Sequence, residues 1–193
     1  MKKIIAYLWD YLLCDKIGRL NRILFRNRIE RSKLINDNFT ILSQNCIGAV
    51  MYHDLGKCFL SPTINIGFDP NEFITFLEDM EYYLNAPIKI ISSEYSYPVG
   101  KLGEGEHQII TLHFVHYSDC QVALEKWNER KKRINRNNIF VVCQDANMSY
   151  ETIQKFDNLK QFESKILFTA KEYKEFSSTV YLKNYKNKGY VDN

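Results

Sequence analysis

The sequence lacks any apolar run that approaches the roughly 20 residues needed for a membrane-spanning helix. Its first residues, MKKIIAYLWDYLLCDK, are basic and then apolar, but Asp10 interrupts the apolar run and no small-residue cleavage site follows. A secretory signal peptide is therefore not expected. These absences predict a cytoplasmic protein, with the inner face of the membrane as a second location.

A regular cysteine pattern is also missing. The chain has five cysteines, an odd number, and no two of them form a C-x-x-C pair. This spacing supports neither a disulfide framework nor a zinc site, so most of the cysteines are expected to be small buried side chains in a reducing compartment. They are Cys14, Cys46, Cys58, Cys120 and Cys143.

Several catalytic signatures are absent as well. There is no Asp-x-Asp triplet, the usual metal and nucleotide-sugar motif, and no G-x-S-x-G element of serine hydrolases. The glycine-rich stretch 100–105 precedes a strand and lacks the Walker spacing, so it predicts a turn and not a nucleotide fingerprint. No metal site and no required cofactor are predicted, and the need for a divalent metal during catalysis is left open.

Positive charge is concentrated near the amino terminus. Residues 1–34 contain nine Lys or Arg and three acids, a net charge of +6, whereas the whole chain carries +3. Helical spacing of the apolar residues predicts a basic amphipathic arm over residues 1–35. This arm is expected either to contact anionic lipid through residues 2–34 or to pack on its own domain. The acidic remainder argues against nucleic acid as a partner.

Strand and helix patterns alternate along residues 36–193. Apolar runs at 39–43, 139–143 and 165–169 predict buried strands, and a helix is expected to begin at Asp69-Pro70 and to reach about Leu84. The predicted fold class is therefore α/β: a single layered domain with an at least partly parallel sheet flanked by helices, following the amino-terminal arm.

Three predicted strands end in small or polar residues just before a helix. Ligands of open α/β sheets bind beyond the carboxyl ends of the strands, where helix amino termini favour phosphate. In this interpretation Asn45 offers an amide and Gly48 allows a close approach of the backbone. The alternative is that Asn45 only caps the next helix. The three ends are Ser43-Gln44-Asn45, Gln144-Asp145-Ala146-Asn147 and Thr169-Ala170.

Several titratable side chains are considered for a catalytic or a structural role. His113 and His116 lie three apart on a predicted strand over 109–117, so they face opposite ways and do not predict a metal site. His116, near the strand end, is the candidate catalytic or substrate-contacting residue, and His113 is expected to be structural. Asp145 is the candidate acid, and Asp54, Glu104 and Glu106 are its alternatives. Cys46 is either a thiolate favoured by the helix dipole or a buried thiol.

Three cations are candidates for binding a diphosphate. Arg130 and Arg133 lie on a predicted helix that starts at Ser118-Asp119, and arginine offers bidentate donors. Lys101 would reach a phosphate if the glycine-rich loop folded over the crevice. The alternatives are a solvated helix face for the arginines and a hairpin turn without function for the loop.

Five segments of the chain carry a resemblance through their order: ILSQNCIGAVMYHDLGKCFLSPTINIGFDPNEFITFLEDMEYYL, YPVGKL, LHFVHY, ALEKWNERKKRIN and KILFT. Together they resemble a bacterial domain family of largely undefined function, whose members are often labelled exopolysaccharide or capsular polysaccharide biosynthesis proteins. The resemblance covers roughly residues 38–185, and where members tend to have Asn-Asn-Cys-x-Gly this chain keeps Asn45-Cys46-Ile47-Gly48.

The resemblance implies a place in surface-polysaccharide assembly, with glycosyl transfer from a nucleotide sugar to a lipid-linked glycan as the expected activity. Arg130, Arg133 or Lys101 would then offset the charge of the leaving diphosphate, and Asp145 or His116 would be the general base. One alternative is a different group-transfer enzyme acting on polysaccharide through Cys46 or His116. The other is a non-catalytic assembly or regulatory protein of the same pathway.

Overall fold

The computed structural model describes Phe25 and residues 27–146 and 148–191. Most of the predicted basic arm and Asn147 therefore lie outside the described residues. The chain divides into two compact units, one formed by the residues up to Asp37 with Val50–Cys58, the other by Asn38–Ala49 with the residues from Phe59 onward. The helices are α1 Asn27–Lys33, α2 Ile47–Leu55, α3 Pro70–Glu78, α4 Met80–Asn85, α5 Cys120–Lys131 and α6 Tyr150–Asp157.

Four strands of the second unit form a parallel sheet in the order β1-β5-β6-β7. Ser43 lies opposite Val142, Gln144 opposite Phe168, and Thr169 opposite Tyr181. Because all four strands run the same way, their carboxyl ends meet at one edge of the sheet. The parallel sheet with flanking helices confirms the predicted α/β fold class. The strands are β1 Thr40–Ser43, β5 Ile139–Gln144, β6 Ser164–Thr169 and β7 Thr179–Tyr181.

A second, antiparallel sheet is formed between β1 and β5 in the chain. Its strands β2 Ile88–Ile91, β3 Val99–Leu102 and β4 Ile110–His113 are ordered β2-β3-β4. The strand predicted over 109–117 is thus shorter than expected, and His116 lies in the turn beyond β4. The alternation of strand faces therefore does not govern where His116 points.

The helix predicted to run from Pro70 to about Leu84 begins as expected. Asp69 Oδ1 accepts hydrogen bonds from the backbone N–H groups of Asn71 and Glu72, at 2.8 and 3.4 Å. The helix breaks at Asp79, whose φ of −132° is not helical, into α3 and α4. The break turns α4 so that Tyr83 and Leu84 are buried.

One hydrophobic core holds the second unit together. It is contiguous across both sheets and the helices α3, α5 and α6, so burial of apolar area joins the two sheets into one folding unit. Phe76 packs edge-on against Trp127 with ring centroids 6.4 Å apart. The largest fully buried members include Trp127, Tyr83, Phe73, Phe76, Phe114 and Phe156.

The first unit carries an exposed apolar surface. Phe25 and Ile29 lie four positions apart in the sequence, and 63% and 52% of their surfaces are exposed. Arg31 donates from Nε to the backbone oxygen of Asp54 at 2.8 Å, which fixes α1 on the Val50–Cys58 segment within this unit. Within the described part of the chain, no helix is long and apolar enough to cross a membrane.

Candidate active site

The carboxyl ends of β1 and β5 meet as the sequence predicts. Asn45 Nδ2 donates to Gln144 Oε1 at 2.6 Å, and the backbone N–H of Gln144 donates to Gln44 Oε1 at 3.0 Å. Two side-chain amides, about a hundred positions apart in the chain, are therefore bonded to one another at the edge of the parallel sheet. The polar residues that follow these strands form one cluster.

The turn after β4 brings His116 to this cluster. The backbones of Gly67 and His113 exchange two hydrogen bonds of 2.8 and 3.0 Å, and the N–H of Phe68 donates to the backbone oxygen of Gln44 at 2.9 Å. These bonds attach the end of the antiparallel sheet to the residues after β1. His116 Nε2 consequently lies 3.1 Å from the sulfur of Cys46.

Cys46 directly precedes α2, and the first turn of that helix is already capped. Asn45 Oδ1 accepts a hydrogen bond from the N–H of Ile47 at 3.0 Å, and Ser43 Oγ accepts one from the N–H of Gly48 at 3.2 Å. Asn45 thus caps the amino terminus of α2, which was the alternative to a role in binding substrate. Both N–H groups are hydrogen-bonded to oxygens of the protein. Binding of substrate by Asn45 stays a prediction.

Gly48 allows a close approach between α2 and β1, whereas the sequence predicted a close approach to a ligand. A Cβ atom at this position would collide with Ser43 Oγ and would lie 3.2 Å from Ser43 Cβ. The missing side chain therefore lets the helix pack against the end of its own strand. The prediction that Gly48 admits a substrate is untested by this geometry.

The thiol of Cys46 is half-buried, and His116 is exposed. Burial raises the pKa of the Cys46 thiol above its ordinary value. The neutral thiol is thus the favoured resting form, and forming the thiolate requires a base. The imidazole of His116 is within hydrogen-bonding distance of the sulfur and is the group placed to accept the proton.

Asp145 joins the ends of β5 and β6. Its side chain is only 6% exposed. Oδ2 accepts the N–H of Ala170 at 2.8 Å, and Oδ1 accepts the N–H of Val191 at 2.6 Å. Both carboxylate oxygens therefore hold backbone groups of other segments, which is a structural role. Its role as a general base stays a prediction.

Arg130 lies behind the site. Its Nη1 donates to the backbone oxygen of Ile64 at 3.1 Å and to the phenol oxygen of Tyr117 at 2.7 Å. The guanidinium also lies over the ring of Phe59, 5.2 Å from its centre. Tyr117 directly follows His116 in the sequence, so Arg130 is hydrogen-bonded to the residue next to the thiol–imidazole pair.

The other two candidate cations are used elsewhere. Arg133 is exposed, forms an ion pair with Glu129, and donates to the backbone oxygen of Phe59 at 3.4 Å. Lys101 belongs to β3, not to a loop, and its Nζ donates to Thr111 Oγ1 at 2.7 Å. Phosphate binding by Arg133 or Lys101 stays a prediction.

Residues of the Ser-Pro-Thr segment also belong to the site, although the sequence alone assigned them no role. Thr63 Oγ1 accepts the N–H of Ser43 at 3.1 Å and lies 3.0 Å from Ser61 Oγ. Both hydroxyls are buried. The signal that could have identified them, together with Tyr117, is their place in the quoted motifs SPT and HY.

Metal binding has no support in the described ranges. No group of three or more His, Cys, Asp or Glu side chains in them could hold a metal ion. His113 and His116 do not share a site, because the ring of His113 packs edge-on against Tyr95 and Tyr97. Whether catalysis needs a metal from solution stays open.

The fold and the site define a mixed α/β protein with a thiol–imidazole pair at the carboxyl edge of its parallel sheet. The chain belongs to the family described as "Domain of unknown function (DUF1919)", whose model matches residues 18–193. It is also 38% identical over 168 residues to an uncharacterized protein of Haemophilus influenzae, covering 86% of this chain and 79% of that relative.

Proposed function

We propose that the protein is a group-transfer enzyme of surface-polysaccharide biosynthesis in which Cys46 is the nucleophile and His116 the general base. The observation that carries the proposal is the 3.1 Å contact between Cys46 Sγ and His116 Nε2 at the carboxyl edge of the sheet. The resemblance of the sequence to polysaccharide biosynthesis proteins supports the pathway. Acyl transfer to a sugar hydroxyl is the reaction that a thiol–imidazole pair performs most directly.

In the first half-reaction, His116 Nε2 removes the proton from Cys46 Sγ. The thiolate attacks the carbonyl carbon of an acyl donor, a carbon–sulfur bond forms, and the bond between the carbonyl carbon and the leaving group breaks. The leaving group takes the proton from the imidazolium. The product is an acyl thioester on Cys46.

In the second half-reaction, His116 removes the proton from a hydroxyl group of the acceptor sugar. The sugar oxygen attacks the thioester, a new ester bond forms, and the carbon–sulfur bond breaks. The thiolate recovers the proton from His116. Proton transfer by a positioned imidazole typically accelerates such steps about 10²–10⁴-fold.

In this proposal Asn45 stabilises the developing oxyanion. It directly precedes Cys46, and its contact with Gln144 uses one of the two hydrogens of its amide nitrogen. The second hydrogen would be donated to the oxyanion. The bond to Gln144 fixes the orientation of the amide, and a fixed donor costs no reorganisation during the reaction.

The test is the detection of the thioester. The protein is incubated with p-nitrophenyl acetate and with acetyl-CoA, and the adduct is located by intact-mass and peptide mass spectrometry. We expect rapid acylation at Cys46, loss of the adduct in Cys46→Ala, and slower acylation in His116→Ala. Cys120→Ala, which removes an exposed thiol at the start of α5, is the matched control. Equal labelling of Cys46 and Cys120 would contradict the proposal.

Glycosyl transfer is the second candidate, and the link from Arg130 through Tyr117 to His116 favours it. Here His116 would be the base for the acceptor hydroxyl, and Arg130 would face the diphosphate of a nucleotide sugar. The two candidates differ in the role of the thiol. Cys46→Ala would retain transfer from a nucleotide sugar and would abolish transfer of an acyl group, with assays run both with and without Mg²⁺ or Mn²⁺.

A lipid-linked glycan is the acceptor that we propose in either case. The basic composition of residues 2–34 and the exposed Phe25 and Ile29 support contact with anionic lipid. Sedimentation with vesicles that contain phosphatidylglycerol tests this contact. Phe25→Ser with Ile29→Ser should reduce the bound fraction, and vesicles of phosphatidylcholine alone serve as the control.

A further inference from the structure

Arg130 is a buried cation that forms no ion pair with an acid in the described part of the chain, although its charge helps to lower the pKa of Glu129. Only 9% of its surface is exposed, and it takes part in none of the ion pairs recorded among the described residues. The neighbouring Glu129 is already bound by Lys126 and Arg133. Buried charges in proteins are normally compensated, because removal from water is costly for an ion.

The donors of Arg130 are only partly used. A guanidinium has five N–H groups. The two hydrogen bonds recorded for Arg130 both come from Nη1, and both acceptors, the backbone oxygen of Ile64 and the phenol of Tyr117, are neutral. Within the described part of the chain, Nε and Nη2 have no recorded acceptor. These two atoms form the edge of a guanidinium that binds an oxyanion in bidentate fashion.

Arg136 shows how an arginine of this protein behaves when its charge is balanced. It is exposed, and its Nε and Nη2 bind the two oxygens of Glu81 at 2.6 and 3.0 Å. The same two atoms are without a recorded partner in Arg130, although Arg130 is the more buried residue. The contrast leaves Nε and Nη2 of Arg130 open to an oxyanion from outside the chain.

The two acceptors of Arg130 connect it to the surroundings of Cys46. Tyr117, which accepts its hydrogen bond, directly follows His116. Ile64, the other acceptor, directly follows Thr63, whose hydroxyl holds the N–H of Ser43. Both contacts of the guanidinium thus lead by one residue to the groups around Cys46.

We infer that Arg130 forms a subsite for a phosphoryl group of the substrate beside the Cys46–His116 pair. The assignment of this subsite to the substrate rests on the proposed function, whereas the binding of the anion does not. The phosphoryl group belongs either to a nucleotide or to a lipid-linked glycan, since both carry phosphate next to the sugar. The planar fork of arginine matches phosphate oxygens bidentately.

The test is thermal unfolding with sodium pyrophosphate, at an ionic strength matched with sodium chloride so that general screening cancels. We expect a saturable rise of Tm by about 3–6 °C at a tenfold excess over Kd. Uridine diphosphate and farnesyl diphosphate then distinguish the nucleotide from the lipid source. Sodium acetate at the same ionic strength should give no rise, and a rise equal to that of pyrophosphate would overturn the assignment to phosphate.

Variants separate binding from structural support. Arg130→Met should fold with a lower Tm than the wild type, because the backbone oxygen of Ile64 and the phenol of Tyr117 lose a buried donor, and its Tm should no longer rise with pyrophosphate. Arg130→Lys keeps the charge but loses the fork, so its Kd should rise about tenfold. Lys126→Met, which removes an exposed cation of α5, should respond like the wild type. A response retained in Arg130→Met would overturn the inference.

The Cys46→Ala protein keeps this inference apart from the proposed function. Its response to pyrophosphate should equal that of the wild type, because the sulfur does not contact Arg130. A normal response together with full turnover in Cys46→Ala would refute only the role of the thiol. No response in the wild type, together with thioester formation at Cys46, would refute only the subsite.

Discussion

The two halves of the carboxyl edge of the parallel sheet differ in how their polar groups are used. After β1, the sulfur of Cys46 is half-buried and contacts an exposed imidazole at 3.1 Å. After β5 and β6, both oxygens of Asp145 accept backbone N–H groups. The first half presents groups that can exchange protons with a ligand, whereas the second half connects segments of the chain.

A polar residue at a strand end is therefore not by itself a functional residue. Asp145 and Cys46 occupy equivalent places after neighbouring strands. Their surroundings decide their roles. The buried carboxylate of Asp145 is required by the structure, because its two oxygens accept hydrogen bonds from two backbone N–H groups. The thiol of Cys46 contacts an exposed imidazole instead.

The largest effect is expected in the first half of the carboxyl edge, after β1. Cys46→Ala should abolish acyl transfer, and His116→Ala should lower its rate about 10²–10⁴-fold, since the general base is lost. Steady-state kinetics of both variants measure these effects. Cys143→Ser, which changes a buried thiol of β5, should retain turnover. A similar loss of activity in all three variants would indicate a general loss of structure. It would contradict the distinction between the two halves of the edge.

Asp145→Asn should act on stability. One carboxylate oxygen becomes an NH₂ group that faces a backbone N–H, so a buried donor is left without an acceptor at a cost of about 2–3 kcal/mol. Urea denaturation measures this loss. Glu163→Gln, an exposed carboxylate changed in the same way, should shift stability by less than about 0.5 kcal/mol. A stable Asp145→Asn protein without activity would instead support its role as a general base.

Gly48→Ala tests whether the close approach serves packing or substrate. The added Cβ would collide with Ser43 Oγ, so we expect destabilisation of about 1–3 kcal/mol. Ser43→Ala removes that oxygen and should make the second substitution less costly in a double-mutant cycle. Additive effects in the cycle would show that the contact between α2 and β1 is not the cause.

The smallest effect is a change of stability at alkaline pH. Burial raises the pKa of the Cys143 thiol far above its ordinary value. The folded state therefore keeps the proton, and its stabilising effect is complete below the unfolded pKa and is lost as pH rises. Between pH 8 and pH 9 the loss is about 0.7 kcal/mol for a thiol of unfolded pKa near 8.5.

Urea denaturation of the wild type and of Cys143→Ser at both pH values checks this expectation. The variant should lose less stability than the wild type, and Cys120→Ser, at an exposed position, should behave like the wild type. The same loss in wild type and Cys143→Ser would mean that other groups, such as the buried tyrosines, cause the alkaline effect.

Periodicity and local residue preference predicted the elements that need only neighbours in sequence. The buried strands around Leu42, Val141 and Leu167 follow from continuous apolar runs, and the start of α3 follows from Asp69 and Pro70. The same reasoning missed the break at Asp79 and extended β4 to Tyr117. Both errors lie where tertiary packing, and not local preference, ends an element.

The α/β fold class and the polar residues that follow the strands could be read from the sequence, because strand and helix periods are local properties of the chain. Which of these polar residues come into contact depends on tertiary packing. Cys46 and His116 are joined through the pairing of Gly67 with His113, and Arg130 is buried through its contacts with Ile64 and Tyr117. Such contacts depend on the register of distant segments, which core packing sets and no local pattern encodes.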